Sequence, residues 1–347
     1  MMSHMNPVRS RPACRVALAA FTWCALFCVA AAAAPPGGEA SPHTPIAQTR
    51  PLAPAPSFAP YPDAELAAAS SPSGLAALPP GTRVLRDTPY GPDPAQRMDV
   101  YLPPGHAGRA MPVIFMVHGG AWRLGDKANR PVVENKVARW VPRGFVFISV
   151  NYRMLPAANP LVQAQDVARA LARAQADAAA WGADPTQFIL MGHSAGAHLV
   201  ALLTASATLA RDAGAQPWLG TVVLDSAALD VPRLMGARHL RLYDRAFGDD
   251  PAFWEATSPL HQAWGARSPD HMPPVLNVCS SRRAIACPQA QAFAATVQRV
   301  GGRAQVLAQD LSHGEINQNL GLPGDYTLAV EAFMATLGDG LRQALGR

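Results

Sequence analysis

Ser194 lies at the centre of Gly192-His193-Ser194-Ala195-Gly196, where a hydroxyl between small residues could serve as a nucleophile. A strand-like run, Phe188-Ile189-Leu190-Met191, leads in, and a helix-like run from Ala197 to Leu203 leads out. A turn that tight needs small neighbours and holds the serine exposed at the positive end of the following helix. The bare pentapeptide is a weak pattern, because Gly and Ser are common; its strand–turn–helix setting gives it weight. A second pattern precedes it. The apolar run Val113–Val117 ends at His118-Gly119-Gly120-Ala121-Trp122. A Gly-Gly pair after a buried strand lets backbone N–H groups turn toward a ligand. Together with the amide after the nucleophile, such groups can hold a developing oxyanion. The expected donors are Gly120, Ala121 and Ala195. An ordinary Gly-rich turn is the plainer reading, but it does not account for the order and spacing of the two motifs.

These residues need a frame. Val84 to Thr88 and Arg97 to Leu102 read as antiparallel edge strands, followed by the strand 113–117. A helix is expected from Asn135 to Val141, a buried strand from Phe145 to Val150, and an Ala-rich helix from Asp166 to Trp181, ended by Gly182. Beyond the Ser194 helix come strands at 221–224 and 275–278, a helix at 289–300, a last strand at 305–308 and a last helix at 326–337. Strands alternating with helices imply an α/β fold, a doubly wound, mostly parallel sheet with right-handed crossovers and flanking helices. Residues 232–272, with Tyr243, Phe247, Trp254 and Trp264, read either as a small cap or as packing around the last helices.

In these motifs the chain resembles the α/β-hydrolase family, and within it the small bacterial carboxylesterases of the feruloyl-esterase and kynurenine-formamidase type. The resemblance runs from Asp99-Val100-Tyr101-Leu102-Pro103 through His118–Arg123, Asn151-Tyr152-Arg153 and Gly182-Ala183-Asp184-Pro185 to Gly192–Leu199. It covers residues 81–347, densely over 99–203. It implies a Ser–acid–His triad, and neither a metal nor an organic cofactor.

In an open α/β sheet, ligands bind beyond the carboxyl ends of the strands, so the base belongs in the loop after the last strand. His313, in Asp310-Leu311-Ser312-His313-Gly314, is there. His118 belongs to the glycine turn, and His193 and His198 flank the nucleophile and read as structural. His239, His261 and His271 fall in the 232–272 region. Similar hydrolases usually carry the acid in the loop after the penultimate strand. Here that loop, from Cys279 to Cys287, has no Asp or Glu and contains Arg282 and Arg283. Some lipases of this fold place the acid one strand earlier, in a Leu-Asp-x-Ala context like Leu224-Asp225-Ser226-Ala227. Asp225 is the favoured acid, against Asp230 (which looks like a helix cap), Asp310 and no acid at all.

The chain has 347 residues, 49% of them hydrophobic, enough for one large domain. Arg9, Arg11 and Arg15 precede an apolar run from Val16 to Ala34, with no acid before Glu39. That is the pattern of a secretory signal peptide cleaved near Ala33, with a membrane anchor as the lesser alternative. The expected division is 1–33 signal peptide, 34–80 Pro/Ala-rich disordered linker and 81–347 α/β-hydrolase catalytic domain. Without residues 1–33 the 29 basic residues fall to 26 against 24 acidic ones. So small an excess argues against a nucleic-acid partner and against strong membrane association. Cys279 and Cys287 then remain as an even pair, expected to bridge in a periplasmic or extracellular compartment.

The reading is an exported serine hydrolase that cleaves small carboxylic esters through an acyl-enzyme. An amidase or formamidase of the same fold shares its attack chemistry. A non-catalytic binding protein on the same fold rests on the acid missing from the usual loop. Trp122 and the aromatic residues of 232–272 hint at an apolar acyl or alcohol group.

Overall fold

The computed structural model describes residues 77–105, 110–265 and 272–346. The expected signal peptide, most of the expected linker and His271 lie outside the described residues.

Eight strands form one sheet: β1 (Arg83–Pro89), β2 (Arg97–Leu102), β3 (Met111–Val117), β4 (Val146–Val150), β5 (Ala183–His193), β6 (Gly220–Leu224), β7 (Val275–Ser280) and β8 (Ala304–Gln309). Their order is β1-β2-β4-β3-β5-β6-β7-β8. β1 and β2 run antiparallel to their neighbours, and every pairing from β4 to β8 is parallel. The helices are α1 (Arg130–Trp140), α2 (Pro160–Asp177), α3 (Ala195–Ala205), α4 (Ala207–Asp212), α5 (Val231–Met235), α6 (Arg241–Phe247), α7 (Pro251–Ala256), α8 (Pro259–Trp264), α9 (Ala286–Arg299), α10 (His313–Asn319), α11 (Asp325–Ala335) and α12 (Asp339–Leu345).

The central strands are apolar at nearly every position because both faces are covered. Val113, Phe115 and Val117 of β3 point into one apolar layer with α2 and α3, while Ile114 and Met116 point into the other with α1 and α11. Full burial of each such side chain contributes roughly 1.5–3 kcal/mol. The sheet therefore has little freedom to shift, and the loops at the carboxyl ends of β3, β5, β6, β7 and β8 are built on a rigid edge.

Helix starts differ from the sequence expectation where proline opens the helix. α1 begins at Arg130, with Asn129 before it and Pro131 in its first turn, rather than at Asn135. α2 begins at Pro160, where the Asn159 side chain accepts from the Val162 amide at 3.0 Å, rather than at Asp166. A first-turn proline lacks only an N–H that would have no partner there, so it opens these helices and does not break them. Residues 231–265 carry four short helices, α5 to α8, which we term the cap segment; α8 packs against α3 and α9. α10, like α4 and α12, has no counterpart in the sequence reading. Its Ser312 accepts from the Glu315 amide and Glu315 reaches back to the Ser312 amide, a capping box legible as Ser312-x-x-Glu315.

Candidate active site

β5 ends at His193, and the chain reverses into α3 through Ser194, whose φ is 55° and ψ is −117°. A non-glycine residue in that region carries on the order of 1–3 kcal/mol of strain. Packing enforces it: a Cβ on Gly196 would sit 2.3 Å from the Val117 carbonyl oxygen, so α3 meets β3 in contact that only glycine permits. Five non-glycine residues have positive φ among the described residues: Asp87, Ala121, Trp122, Ser194 and Asp225. All except Asp87 belong to the motifs singled out as chemical, so backbone strain is concentrated at this end of the sheet.

The turn after β3 brings His118-Gly119-Gly120-Ala121 against the Ser194 turn. A Cβ on Gly119 would come within 2.9 Å of the Ser194 Cβ. Gly120 has φ 119°, and a side chain there would collide with the Leu124 carbonyl. The Gly120 oxygen accepts from the amides of Arg123 and Leu124 at 3.0 and 2.9 Å. Among the described residues, the amides of Gly120 and Ala121 donate to no protein group. The Ala195 amide opens α3, where a helix leaves its first N–H groups without an internal partner. Sequence reading missed the residues that brace this turn. The Trp122 oxygen accepts from Gln163 Nε2 at 2.8 Å and from the Leu155 amide at 2.9 Å. The Tyr152 hydroxyl donates to the His118 oxygen at 3.0 Å, and its ring stacks on His118 at 4.6 Å.

Asp225 follows β6, with its backbone amide bonded to the Val278 oxygen at 2.8 Å. Its side chain is fully buried. Oδ1 accepts from the Ser280 amide at 2.8 Å, and Oδ2 lies 2.6 Å from His313 Nδ1. Burial pushes the Asp225 carboxyl up, to about 6, against the Ser280 amide, which favours the ionised form. His313, the first residue of α10, is held well below the ordinary imidazole value by burial and by the nearby Arg283. A neutral ring that donates from Nδ1 to a carboxylate carries its lone pair on Nε2, the form a general base needs. The structure thus brings Asp225 and His313 together, across 88 residues of chain.

The other candidate acids are occupied elsewhere. Asp230 accepts from the Arg233 amide at 3.2 Å and caps α5. Asp310 pairs with Arg282 on the surface at 2.8 Å. Arg283 is not merely a residue standing where an acid was expected: its Nη1 donates to Asp225 Oδ2 at 2.5 Å.

The remaining histidines of the motifs are structural. His193 Nε2 donates to the His313 oxygen at 2.9 Å, and the two rings lie 4.4 Å apart. His198 accepts from Trp122 Nε1 at 3.2 Å and donates from Nε2 to the Thr257 oxygen at 2.7 Å, joining the oxyanion-like turn to the cap. Burial lowers its pKa to about 4, so it remains neutral. In the cap, His239 lies on Asp244 and His261 on Ser258. Trp122, expected to face an apolar substrate group, is only 3% exposed. It packs edge-on against His198, Tyr243 and Phe247, so its ring is spent on joining cap to core. An open pocket of about 310 Å³ lies beside Phe247, Asp249 and Phe253, and neither Ser194 nor His313 lines it.

Cys279 and Cys287 are bonded, with Cα atoms 5.1 Å apart, and enclose the loop that carries Arg283. In the chain-entropy account so short a loop adds roughly 2–3 kcal/mol. In unreduced, denatured protein from an oxidising compartment, the peptides bearing Cys279 and Cys287 are expected to resist alkylation. Full alkylation of both would contradict the bridge. Among the described residues, no group of three or more His, Cys, Asp or Glu side chains gathers as a metal would require. Nor is any described helix long and apolar enough to cross a membrane.

Residues 98–220 match the family model described as BD-FAE. The chain is 31% identical over 220 residues to esterase LipQ of Mycobacterium tuberculosis, covering 58% of this chain and 52% of that one. It is 28% identical over 240 residues to the isoprenylcysteine alpha-carbonyl methylesterase ICME of Arabidopsis thaliana, covering 65% and 55%. The chain thus spans about half the length of these curated relatives. Among solved structures, esterase B of Lactobacillus rhamnosis superposes with a TM-score of 0.63 at 19% identity, over 81% of this chain and 91% of that one. The apo form of Thermogutta terrifontis esterase 2 does so at 0.59 and 22%, over 75% and 96%.

Proposed function

For a chain that carries a BD-FAE domain on the α/β-hydrolase fold, we propose serine hydrolysis of small carboxylic esters. The single observation that carries the reading is the buried 2.6 Å contact between Asp225 Oδ2 and His313 Nδ1, formed beside the strained Ser194 turn. Asp225 orients the ring and balances the imidazolium charge. His313 Nε2 takes the Ser194 proton as Oγ attacks the ester carbonyl, and the C=O electron pair moves onto oxygen. The amides of Gly120, Ala121 and Ala195 stabilise that oxyanion. Collapse of the intermediate expels the alkoxide, which takes the proton from His313 and leaves an acyl-Ser194. Water, deprotonated by His313, then attacks the acyl carbon; the carboxylic acid leaves and Ser194 regains its proton.

An acid missing from the loop after β7 was the sequence feature that favoured a non-catalytic binding protein. Asp225 on His313 supports the catalytic reading instead. The run of Arg9, Arg11 and Arg15 before Val16–Ala34 supports export to the periplasm or beyond.

Purified protein is expected to hydrolyse short-chain nitrophenyl esters and to be labelled by a fluorophosphonate probe at Ser194. Faster turnover of a matched formyl amide would assign the same machinery to an amidase. No turnover and no labelling of folded protein would return the binding-protein reading.

A further inference from the structure

The loop closed by Cys279 and Cys287 contains Arg283, whose side chain is only 12% exposed. One nitrogen, Nη1, donates to Asp225 Oδ2 at 2.5 Å and to the Asp225 backbone oxygen at 3.2 Å, and lies 2.8 Å from His313 Nδ1. A single guanidinium therefore touches both members of the acid–imidazole pair. Resting on the hydrolase reading above, we propose that Arg283 is a positioning residue that clamps Asp225 in register and, as a fixed cation against the ring, keeps His313 unprotonated into the acid range.

Asp225 needs a clamp. Its φ of 56° is unfavourable for a non-glycine residue, and its carboxylate lies wholly out of water. The Ser280 amide fills Oδ1, and Arg283 shares Oδ2 with His313. This sharing has an electrostatic consequence. A cation so near Nδ1 opposes a second proton on the ring, whereas Asp225 alone would invite one.

The other groups near the pair do not cancel this effect. His193, at the end of β5, is itself held neutral by burial. Lys136 of α1 bonds Asn317 of α10 at 2.9 Å, and any positive charge it carries acts in the same direction as Arg283. Tyr326 of α11 donates to the Ile316 oxygen and is uncharged, since burial raises it well above the ordinary phenol value. On the segment of His313 itself, Arg282 pairs with both Asp310 and Glu315. Like charges this close move a titration by on the order of one to two pH units at the effective dielectric of a protein site.

The test is the pH dependence of kcat/KM and KM for a nitrophenyl ester, in the wild type and in Arg283→Gln, Arg283→Met and Arg283→Lys. The wild-type acid limb is expected below the ordinary imidazole value of about 6.5. It should rise by about one to two units in Arg283→Gln and Arg283→Met, with little change in KM, and much less in Arg283→Lys, which retains the charge. Lower activity at every pH with the limb unmoved would mark Arg283 as structural scaffolding and overturn the proposal. If the neutral variants do not fold, a wild-type limb at or above about 6.5 overturns it equally. If the wild type turns over no ester, the hydrolase reading fails. The ring titration of His313 by NMR then decides this one, an ordinary imidazole titration refuting it.

Discussion

Ser194→Ala is expected to abolish ester hydrolysis, with kcat falling by about 10⁵–10⁶ while the protein stays folded. The two halves of that expectation have separate grounds. In the proposed mechanism, loss of the hydroxyl removes the atom that forms the acyl-enzyme and leaves His313 with nothing to deprotonate. Stability should hardly change. Alanine meets the same strained φ of 55° that serine meets, and the Ser194 side chain makes no capping bond to α3 that could be lost. Thermal unfolding and circular dichroism should therefore match the wild type, and residual hydrolysis should reflect only the oxyanion donors acting on water. Equal rates in the two proteins would remove Ser194 from the chemistry.

Asp225→Asn is expected to lower kcat by roughly 10³–10⁴. Asparagine has the right shape, so the loss comes from hydrogen-bond direction. If the amide oxygen keeps the Ser280 amide, the NH₂ group points at both Arg283 Nη1 and His313 Nδ1, which are donors toward Asp225. The ring can relieve the clash only by placing its lone pair on Nδ1, and Nε2 then carries the proton and no longer acts as a base. The turned amide instead sets its NH₂ against the Ser280 amide. Asp230→Asn should cost almost nothing, because Asn caps α5 as well as Asp does. Asp310→Asn removes an exposed ion pair worth little. Near-wild-type turnover in Asp225→Asn, with a large loss at either control position, would move the acid and refute the assignment.

The elbow and the Gly-Gly turn were legible because each is a local instruction. Gly192-His193-Ser194-Ala195-Gly196 specifies a tight turn through the sizes of adjacent residues, and the apolar run before it marks a strand buried on both faces. The alternation of such runs with helix-like segments was enough to imply the parallel sheet. Helix starts were less legible. Prolines at the openings of α1 and α2 resemble interruptions when only apolar spacing is followed, and the short α10 announces itself by its capping box alone.

By itself, then, the sequence determined which residues are equipped for chemistry: a serine in an elbow, amides in a glycine turn, and a histidine after the last strand. It also narrowed the acid to a few aspartates. Only the tertiary structure sets which of them lies against His313, and there it is Asp225. Whether a carboxylate meets His313 depends on β6, β7 and β8 lying side by side, so that segments 55 and 88 residues apart share one buried volume. The same juxtaposition changes what Arg283 means. In the chain it is a cation where an acid was expected; in the fold it is bonded to the carboxylate one strand away. The burial of Trp122 is of the same kind, since its role depends on which cap residues the fold brings against it. Local motifs are encoded by neighbours in sequence, whereas charge pairing and burial are set by long-range contacts that only the packed sheet and cap create.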